Sequence, residues 1–312
     1  MTIVHPSSTS IQEAVVTLKD GGVIAFPTET VYGLGCDTFN EEGIQKVYDL
    51  KGRPKNNPTI AHIHDVSIAT QLTDAWDEQC QLLAENFWPG PLTIVVPKSE
   101  VVPPTACGGF NTIAIRMPNH PIALSLLTEF GRPLSAPSAN PSGYISPTTA
   151  IHVEQSFGGG VTVIDGGPCD CGIESTVLSL VDTPSILRPG SVSLTSLEEI
   201  IPGINLSKTT SQIDSPGTAS SHYAPNTKTT LADCENIHEL SNPDAIVITI
   251  KGSPRITKHA FVMPNCPMQY ATKLYATLRE ADGLGANEII IESPPQSPEW
   301  NAVMNRLLRA SS

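Results

Sequence analysis

The sequence has little positive charge and no long apolar run. Its 312 residues contain 18 Lys and Arg against 31 Asp and Glu, which gives a formal net charge of -13. Such an acidic chain is poorly suited to cover duplex nucleic acid, because that binding depends on neutralising phosphates. A local contact with RNA stays open. The lack of a long apolar run argues against a membrane-spanning helix.

Cysteine is sparse and scattered, and the N-terminus has no leader pattern. Among the seven cysteines only Cys169 and Cys171 lie close together, and a C-x-C pair alone is not a zinc site. Residues 1–10 lack the cationic and apolar regions of a signal peptide. We therefore expect a cytoplasmic protein with reduced thiols and without metal-binding residues.

Predicted strands and helices alternate over about the first 200 residues. Ser10 and Glu13 form a capping-box pattern at the expected start of the first helix. Asn40 is the expected cap of a second helix, and a third is predicted from 74 to 87. This alternation predicts an α/β domain with a twisted mixed sheet. The predicted strands are 23–26, 59–63, 92–96, 112–117, 161–164, 175–180 and 185–187.

A polar segment then interrupts the alternation. Residues 203–228 are rich in Ser, Thr, Pro and Gly, a composition typical of a linker. The remainder predicts a smaller α/β unit, in which Ser297, followed by Pro298, is expected to cap the last helix. The predicted domains are 1–202 and 229–312, joined by 203–228.

Positive charge, scarce elsewhere, is concentrated directly after the second helix. Lys51, Arg53 and Lys55 place three cations within five residues, and Asn57 follows. Arg offers a rigid fork to phosphate oxygens and Lys a movable point charge. The pattern is not a Walker loop, because G-x-x-x-x-G-K-[ST] is absent. We predict an anion site for phosphates; the alternative is a solvated loop that offsets the helix dipole.

A hydroxyl-rich segment follows the first long strand. Thr28 and Thr30 lie beside Gly33 and Gly35. Hydroxyls donate or accept hydrogen bonds, and glycine permits close approach of a ligand or a positive φ. The alternative is a tight strand-to-helix turn in which the threonines act as local caps.

Arg116 lies in an otherwise apolar strand. A buried guanidinium is costly without an anionic partner, so it requires either an ion pair within the protein or a substrate carboxylate. Residues 135–143 combine small hydroxyls with prolines and predict a shaped polar loop, or else an ordinary surface loop. No nucleophile and base stand out, and G-x-S-x-G is absent. The predicted chemistry is therefore positioning and charge stabilisation, as in nucleotidyl transfer.

These segments, in this order, resemble the threonylcarbamoyl-AMP synthase family in its longer two-domain form. The resemblance implies a YrdC-like catalytic domain with a twisted mixed sheet and a smaller Rossmann-like α/β domain. The motifs that carry it are PTETVYGLG, KGRPKNNP, NTIAIRMP, SAPSANPSG, GIESTV, LRPG, SPG…HYAP and LGANEI…AVMNRL.

The resemblance implies a reaction and its partners. L-threonine, bicarbonate and ATP would form L-threonylcarbamoyl-AMP with release of pyrophosphate, for N6-threonylcarbamoyladenosine modification of tRNA. A separate tRNA threonylcarbamoyl transferase complex would use the product, and direct contact with tRNA stays open. Mg²⁺ would bridge the phosphates, held mostly by ATP and water.

The resemblance also assigns residues. Lys51 and Arg53 would stabilise the departing pyrophosphate, and Arg116 would bind the threonine carboxylate. The implied ATP contacts are Arg53, Asn57, Thr112, Ser138, Ser146, Arg188 and Tyr223. The implied threonine contacts are Thr30, His62, Arg116, Ala136 and Ser175.

The linker departs from the family pattern. The family usually has Lys and Arg between SPG and HYAP, whereas residues 218–221 here contain no cation. We predict that residues 215–225 close over the cavity as a lid with Tyr223 on the nucleotide; the alternative is a passive tether.

Two other functions fit parts of the sequence. One is a carbamoyl transfer enzyme on the same fold, which normally adds acylphosphatase and zinc-finger segments that the cysteine spacing does not offer. The other is a non-catalytic RNA-binding protein that uses the basic cavity.

Overall fold

The structure is a computed structural model that describes residues 2–206, 223–237, 244–250 and 260–311. The predicted lid residues 215–222 lie outside these ranges. No helix in the described ranges is long and apolar enough to cross a membrane. The chain divides into two compact units. The first comprises Met1–Ser142, Pro147–Asp170 and Glu174–Thr218, and the second Gly143–Ser146, Cys171–Ile173 and Ala219–Ser312.

The first unit is built on one eleven-stranded mixed sheet, which confirms the predicted α/β class. Across the sheet the strands run β1-β8-β2-β3-β7-β4-β6-β5-β9-β10-β11, with parallel and antiparallel pairs interspersed. In chain order they are β1 (Ile3–Val4), β2 (Ile24–Phe26), β3 (Gly33–Asp37), β4 (Ile60–His62), β5 (Leu92–Pro97), β6 (Thr112–Arg116), β7 (Leu134–Ala136), β8 (Thr162–Ile164), β9 (Thr176–Ser179), β10 (Ser185–Arg188) and β11 (Asn205–Leu206).

Helices supply apolar side chains to both faces of this sheet. Side chains alternate along β2, so Ala25 joins one hydrophobic cluster whereas Ile24 and Phe26 join the other. The first cluster takes side chains from α2, α3, α4 and α6, and the second from α1 and α5. The helices are α1 (Ser8–Lys19), α2 (Glu41–Lys51), α3 (Val66–Leu72), α4 (Glu78–Phe87), α5 (Pro121–Phe130), α6 (Ala150–Phe157) and α7 (Leu194–Glu198).

Asn40 caps α2 as predicted, but two other helix starts were wrong. The capping box of α1 is formed by Ser7 and Ser10, because the Ser7 side chain accepts from Ser10 N and the Ser10 side chain from Ser7 N. Ser10 is therefore the third helical residue. Helix α4 begins at Glu78 rather than at 74, because the Asp77 side chain accepts from Cys80 N at 2.9 Å. The separate helix α3 was missed.

Gly33 and Gly35 lie in β3 and not in a ligand-binding turn. Neither has a positive φ. A Cβ on Gly35 would lie 2.7 Å from the Phe26 ring, and one on Gly33 would lie 3.1 Å from it. Glycine is needed because the Phe26 ring packs directly on this backbone, so the close approach predicted for a ligand is made by a core side chain.

The second unit has a parallel four-stranded sheet, as its predicted Rossmann-like class requires. The strand order is β12-β15-β13-β14. Ser297 makes no side-chain cap, contrary to prediction, because a 3₁₀ turn at Pro298–Trp300 precedes the last helix. The elements are β12 (Thr229–Ala232), β13 (Ala245–Thr249), β14 (Ala260–Val262), β15 (Glu288–Glu292), α8 (Pro267–Gly283) and α9 (Asn301–Ala310).

Candidate active site

Sheet register brings distant polar residues of the first unit together. Strands β3, β7, β4 and β6 are neighbours in the sheet. His62 pairs with Arg116 across the parallel β4–β6 ladder, and Ile60 pairs with Ala136 on the other side of β4. Gly33 forms an isolated bridge with Ser138. Four of the five predicted threonine contacts, Thr30, His62, Arg116 and Ala136, therefore lie on segments that converge near the middle of the sheet.

Arg116 ends β6 and is 3% exposed. Its Nη1 donates to Thr30 Oγ1 at 2.8 Å, and its Nε donates to Gly90 O at 3.3 Å. Its Nη2 lies 2.7 Å from Oε1 of the buried Glu29. Of the two alternatives raised for this guanidinium, the ion pair is present, and contact with a substrate carboxylate stays a prediction.

The threonine hydroxyls form a directed chain. Thr28 Oγ1 donates to Val31 O at 2.6 Å and lies 2.9 Å from Thr30 Oγ1. A hydroxyl has one proton, so Thr30 must donate to Thr28 while it accepts from Arg116. Thr28 also accepts from the backbone N–H groups of Thr30 and Val31. Thr28 therefore acts as a local cap, but the predicted strand-to-helix turn is wrong, because the turn joins strand β2 to strand β3. The Thr28 hydroxyl orients Thr30 toward Arg116.

His62 is buried beside this cluster and is neutral. Burial, and then the charge of Arg116, lower its pKa to about 3. Its ring meets the Phe26 ring edge-on, with 5.8 Å between centroids. His62 can hydrogen-bond a ligand but adds no positive charge at neutral pH. Arg116 is thus the cation of the cluster.

Ser175 and Arg188 contact each other, although the sequence assigned them to different ligands. Arg188 Nε and Nη2 donate to Ser175 O at 3.1 and 3.0 Å, and Nη2 also reaches Ser175 Oγ at 3.2 Å. Ser175 Oγ lies 2.7 Å from Thr93 Oγ1. Ala136 places its methyl group in the second hydrophobic cluster, so contact with a ligand would come from its backbone.

The three cations predicted to bind phosphates differ in burial. Lys51 and Arg53 are 3% and 7% exposed, whereas Lys55 is exposed. Burial, and then the charge of Arg53, lower the pKa of Lys51, while Glu174 opposes this. Two neighbouring buried cations repel each other, so an anion bound beside them would relieve the cost. The solvated-loop alternative is wrong for Lys51 and Arg53.

Both buried cations also shape the backbone around them. Lys51 Nζ donates to Ser138 O at 2.7 Å and to Asn140 O at 2.5 Å. Arg53 Nη2 donates to Asn57 Oδ1 at 2.6 Å, and its Nε donates to Asn57 O at 3.1 Å. Hydrogen bonds therefore join the predicted phosphate and ATP residues in two pairs, Lys51 with Ser138 and Arg53 with Asn57.

Three further predicted ATP residues, Thr112, Ser146 and Tyr223, lie in other parts of the chain. Thr112 lies at the start of β6, half-buried. Ser146 and Tyr223 belong to the second unit. Tyr223 is buried with a φ of 64°, stacks on Tyr275 at 5.7 Å, and has the Arg306 guanidinium 5.4 Å from its ring centre. Its contact with a nucleotide stays a prediction.

Glu29 is the site residue that sequence reasoning missed. The signal that could have found it is that an arginine in an apolar strand requires an acid, and Glu29 lies between Thr28 and Thr30. In the described ranges, no group of three His, Cys, Asp or Glu side chains could hold a metal ion.

Buried cations beside hydroxyl groups suit the charge stabilisation that an ATP-using nucleotidyl-transfer enzyme needs. Comparison with known proteins defines the family. Residues 16–190 match the family described as Telomere recombination, and residues 192–312 match the one described as Threonylcarbamoyl-AMP synthase, C-terminal domain. The chain belongs to the threonylcarbamoyl-AMP synthase family.

Relatives support this over nearly the full length. The threonylcarbamoyl-AMP synthase of Bacillus subtilis (strain 168) is 39% identical over 96% of this chain and 92% of that protein. That of Pyrococcus abyssi is 37% identical over 96% and 94%. The crystal structure of P. abyssi Sua5 complexed with L-threonine superimposes with a TM-score of 0.93, at 36% identity, covering 99% of this chain and 96% of that one.

Proposed function

We propose that this enzyme joins L-threonine, bicarbonate and ATP into L-threonylcarbamoyl-AMP, with release of pyrophosphate. The observation that carries the proposal is the full-length likeness to a structure that holds L-threonine. The cluster of Thr30, His62 and Arg116 supports it, because it offers a hydroxyl, a neutral imidazole and a buried cation within one part of the sheet.

Threonine would bind through this cluster, with its carboxylate on Arg116. Thr30, His62, Ser175 and the backbone of Ala136 would complete the contacts. The threonine ammonium group would lose a proton, and the free amine would attack bicarbonate with loss of water, or carbon dioxide with loss of a second proton, to give a carbamate. A carbamate oxygen would then attack the α-phosphate of ATP and break its bond to the β-phosphate. Holding both reactants in this geometry lowers the entropic barrier to their reaction.

Lys51 and Arg53 would stabilise the pyrophosphate as it departs. Lys51 binds the backbone of residues 138–140, so the same cation would also shape the loop beside the nucleotide. Mg²⁺ would arrive with ATP and be held by phosphates and water. The proposed ATP contacts are Arg53, Asn57, Thr112, Ser138, Ser146, Arg188 and Tyr223.

The product is a mixed anhydride that hydrolyses readily, so water must be kept from it. We assign this task to residues 215–225 as a lid. A tRNA threonylcarbamoyl transferase complex would then consume the product for N6-threonylcarbamoyladenosine synthesis, and the natural setting would be the cytoplasm.

The test is pyrophosphate release with each substrate omitted in turn. We expect release, and a product of the mass of L-threonylcarbamoyl-AMP, only when L-threonine, bicarbonate and MgATP are present together. Pyrophosphate release that ignores threonine, or RNA binding without any release, would refute the proposal.

A further inference from the structure

Three buried polar atoms of the site have no hydrogen-bond partner among the described residues. They are Arg116 Nη2 and both carboxylate oxygens of Glu29. Glu29 is 4% exposed. Nη2 and Oε1 are 2.7 Å apart, so the charges are paired, but the contact lacks the angle of a hydrogen bond. Buried polar atoms are almost always hydrogen-bonded, so an ion pair alone does not account for this arrangement.

His120, a titratable group that senses the charge of Glu29, does not supply the missing bond. His120 lies close enough that the Glu29 carboxylate opposes the lowering of its pKa by burial. Its Nδ1, however, accepts from Ile122 N at 3.3 Å, and no hydrogen bond joins it to Glu29.

Counting donors shows what would satisfy the cluster. A guanidinium has five N–H groups, and Arg116 uses one on Nε and one on Nη1. Three N–H groups remain, beside two carboxylate oxygens of Glu29 that lack a donor. The cluster thus offers unused donors and unused acceptors side by side. An α-amino-acid zwitterion presents the complement, a carboxylate next to an ammonium group.

We infer that Glu29 is a further threonine-binding residue, an assignment that rests on the proposed function. Its carboxylate takes the α-ammonium group while Arg116 takes the α-carboxylate. The direct contact between Glu29 and Arg116 is exchanged for two contacts to threonine. The net charge of the buried cluster does not change, because the pair and the zwitterion are each neutral. Thr30 stays bound to Arg116 and keeps the guanidinium in place.

The test compares L-threonine with (R)-3-hydroxybutanoate, which is L-threonine without its amino group. Calorimetry, with displacement titrations for the weaker ligand, is run on the wild-type chain and on Glu29→Gln. We expect the wild type to bind threonine about ten-fold or more tightly than the amino-free acid. Glu29→Gln should lose about ten-fold for threonine and less than about two-fold for the amino-free acid.

Equal losses for the two ligands would overturn the inference, because Glu29 would then act only by holding Arg116. If Glu29→Gln does not fold, as judged by circular dichroism, the wild-type comparison decides, and equal affinity for both ligands overturns the inference. Asp37→Asn is the matched control, since Asp37 forms a second ion pair, with Arg132 at 2.6 Å, and should leave both affinities unchanged.

The proposed function and the role of Glu29 are refuted by different results. A wild-type chain that releases no pyrophosphate with threonine, bicarbonate and MgATP refutes that function. A chain that releases it, but shows equal losses in Glu29→Gln, refutes only the role of Glu29.

Discussion

Removing Arg116 should lower both the free energy of unfolding of the first unit and the affinity for threonine, and the two effects can be measured separately. Arg116→Met leaves the Glu29 carboxylate buried without its cation, and breaking a buried pair on one side costs about 3–5 kcal/mol. It also removes the hydrogen bonds to Thr30 and Gly90, each contributing roughly 0.5–1.5 kcal/mol. We therefore expect a loss of about 4 kcal/mol or more in the free energy of unfolding of the first unit.

The double variant Glu29→Gln/Arg116→Met should be more stable than Arg116→Met alone. It removes the uncompensated charge but does not restore the two hydrogen bonds. We expect it to recover about 2 kcal/mol, which is within the usual coupling range of contacting residues. Threonine binding should not recover, because the cation proposed for the carboxylate is still missing.

The assay is urea unfolding followed by tryptophan fluorescence. Trp76 and Trp88 lie in the first unit, with 5.8 Å between ring centroids. Trp300→Phe in every background removes the signal of the second unit. Calorimetry with threonine and with a non-hydrolysable ATP analogue follows on each folded variant. Stability losses that add in the double variant would refute the reasoning, as would a threonine affinity that returns with stability.

Three further predictions concern the nucleotide, pH and the lid. Arg53→Ala should lower kcat/KM for ATP by about ten-fold or more while threonine affinity stays within two-fold, and exposed Lys55→Ala should change neither; steady-state pyrophosphate release checks both. The folded pKa of His62 is about 3, below its ordinary 6.5, so the unfolded chain binds a proton first as pH falls. The free energy of unfolding is therefore unaffected by His62 above pH 6.5 and decreases as pH falls from 6.5 toward 3. His62→Gln should therefore flatten the dependence of unfolding free energy on pH between those values, by at most about 1.4 kcal/mol per pH unit. Tyr223→Ala should shorten the lifetime of L-threonylcarbamoyl-AMP, followed by mass spectrometry, with a weak dependence on salt.

Each of these has a result that would contradict it. Equal loss of ATP use in Arg53→Ala and Lys55→Ala would mean that overall charge matters and burial does not. An unchanged pH profile in His62→Gln would mean that His62 titrates alike in the folded and unfolded chain. A full product yield and lifetime in Tyr223→Ala, and in a chain without residues 215–312, would mean that no lid operates.

Local patterns in the sequence determined most of the elements. The Asn40 cap, the strand at Thr112–Arg116 and the alternation that defines an α/β fold depend on neighbours within a few residues, and all are present. The concentration of cations at Lys51 and Arg53 was equally visible, because charge scarcity elsewhere made it stand out. The order of the motifs was enough to indicate the family.

Only the tertiary structure determined which residues contact each other. Glu29 and Arg116 are 87 positions apart by number, and their contact depends on the register of strands that no local pattern specifies. Gly35 looked like a turn residue, yet its lack of a side chain serves the Phe26 ring on the neighbouring strand. Burial likewise separated Lys51 from Lys55, two cations that the sequence could not tell apart. Such choices depend on packing between distant segments, because desolvation and pairing act through space and not along the chain.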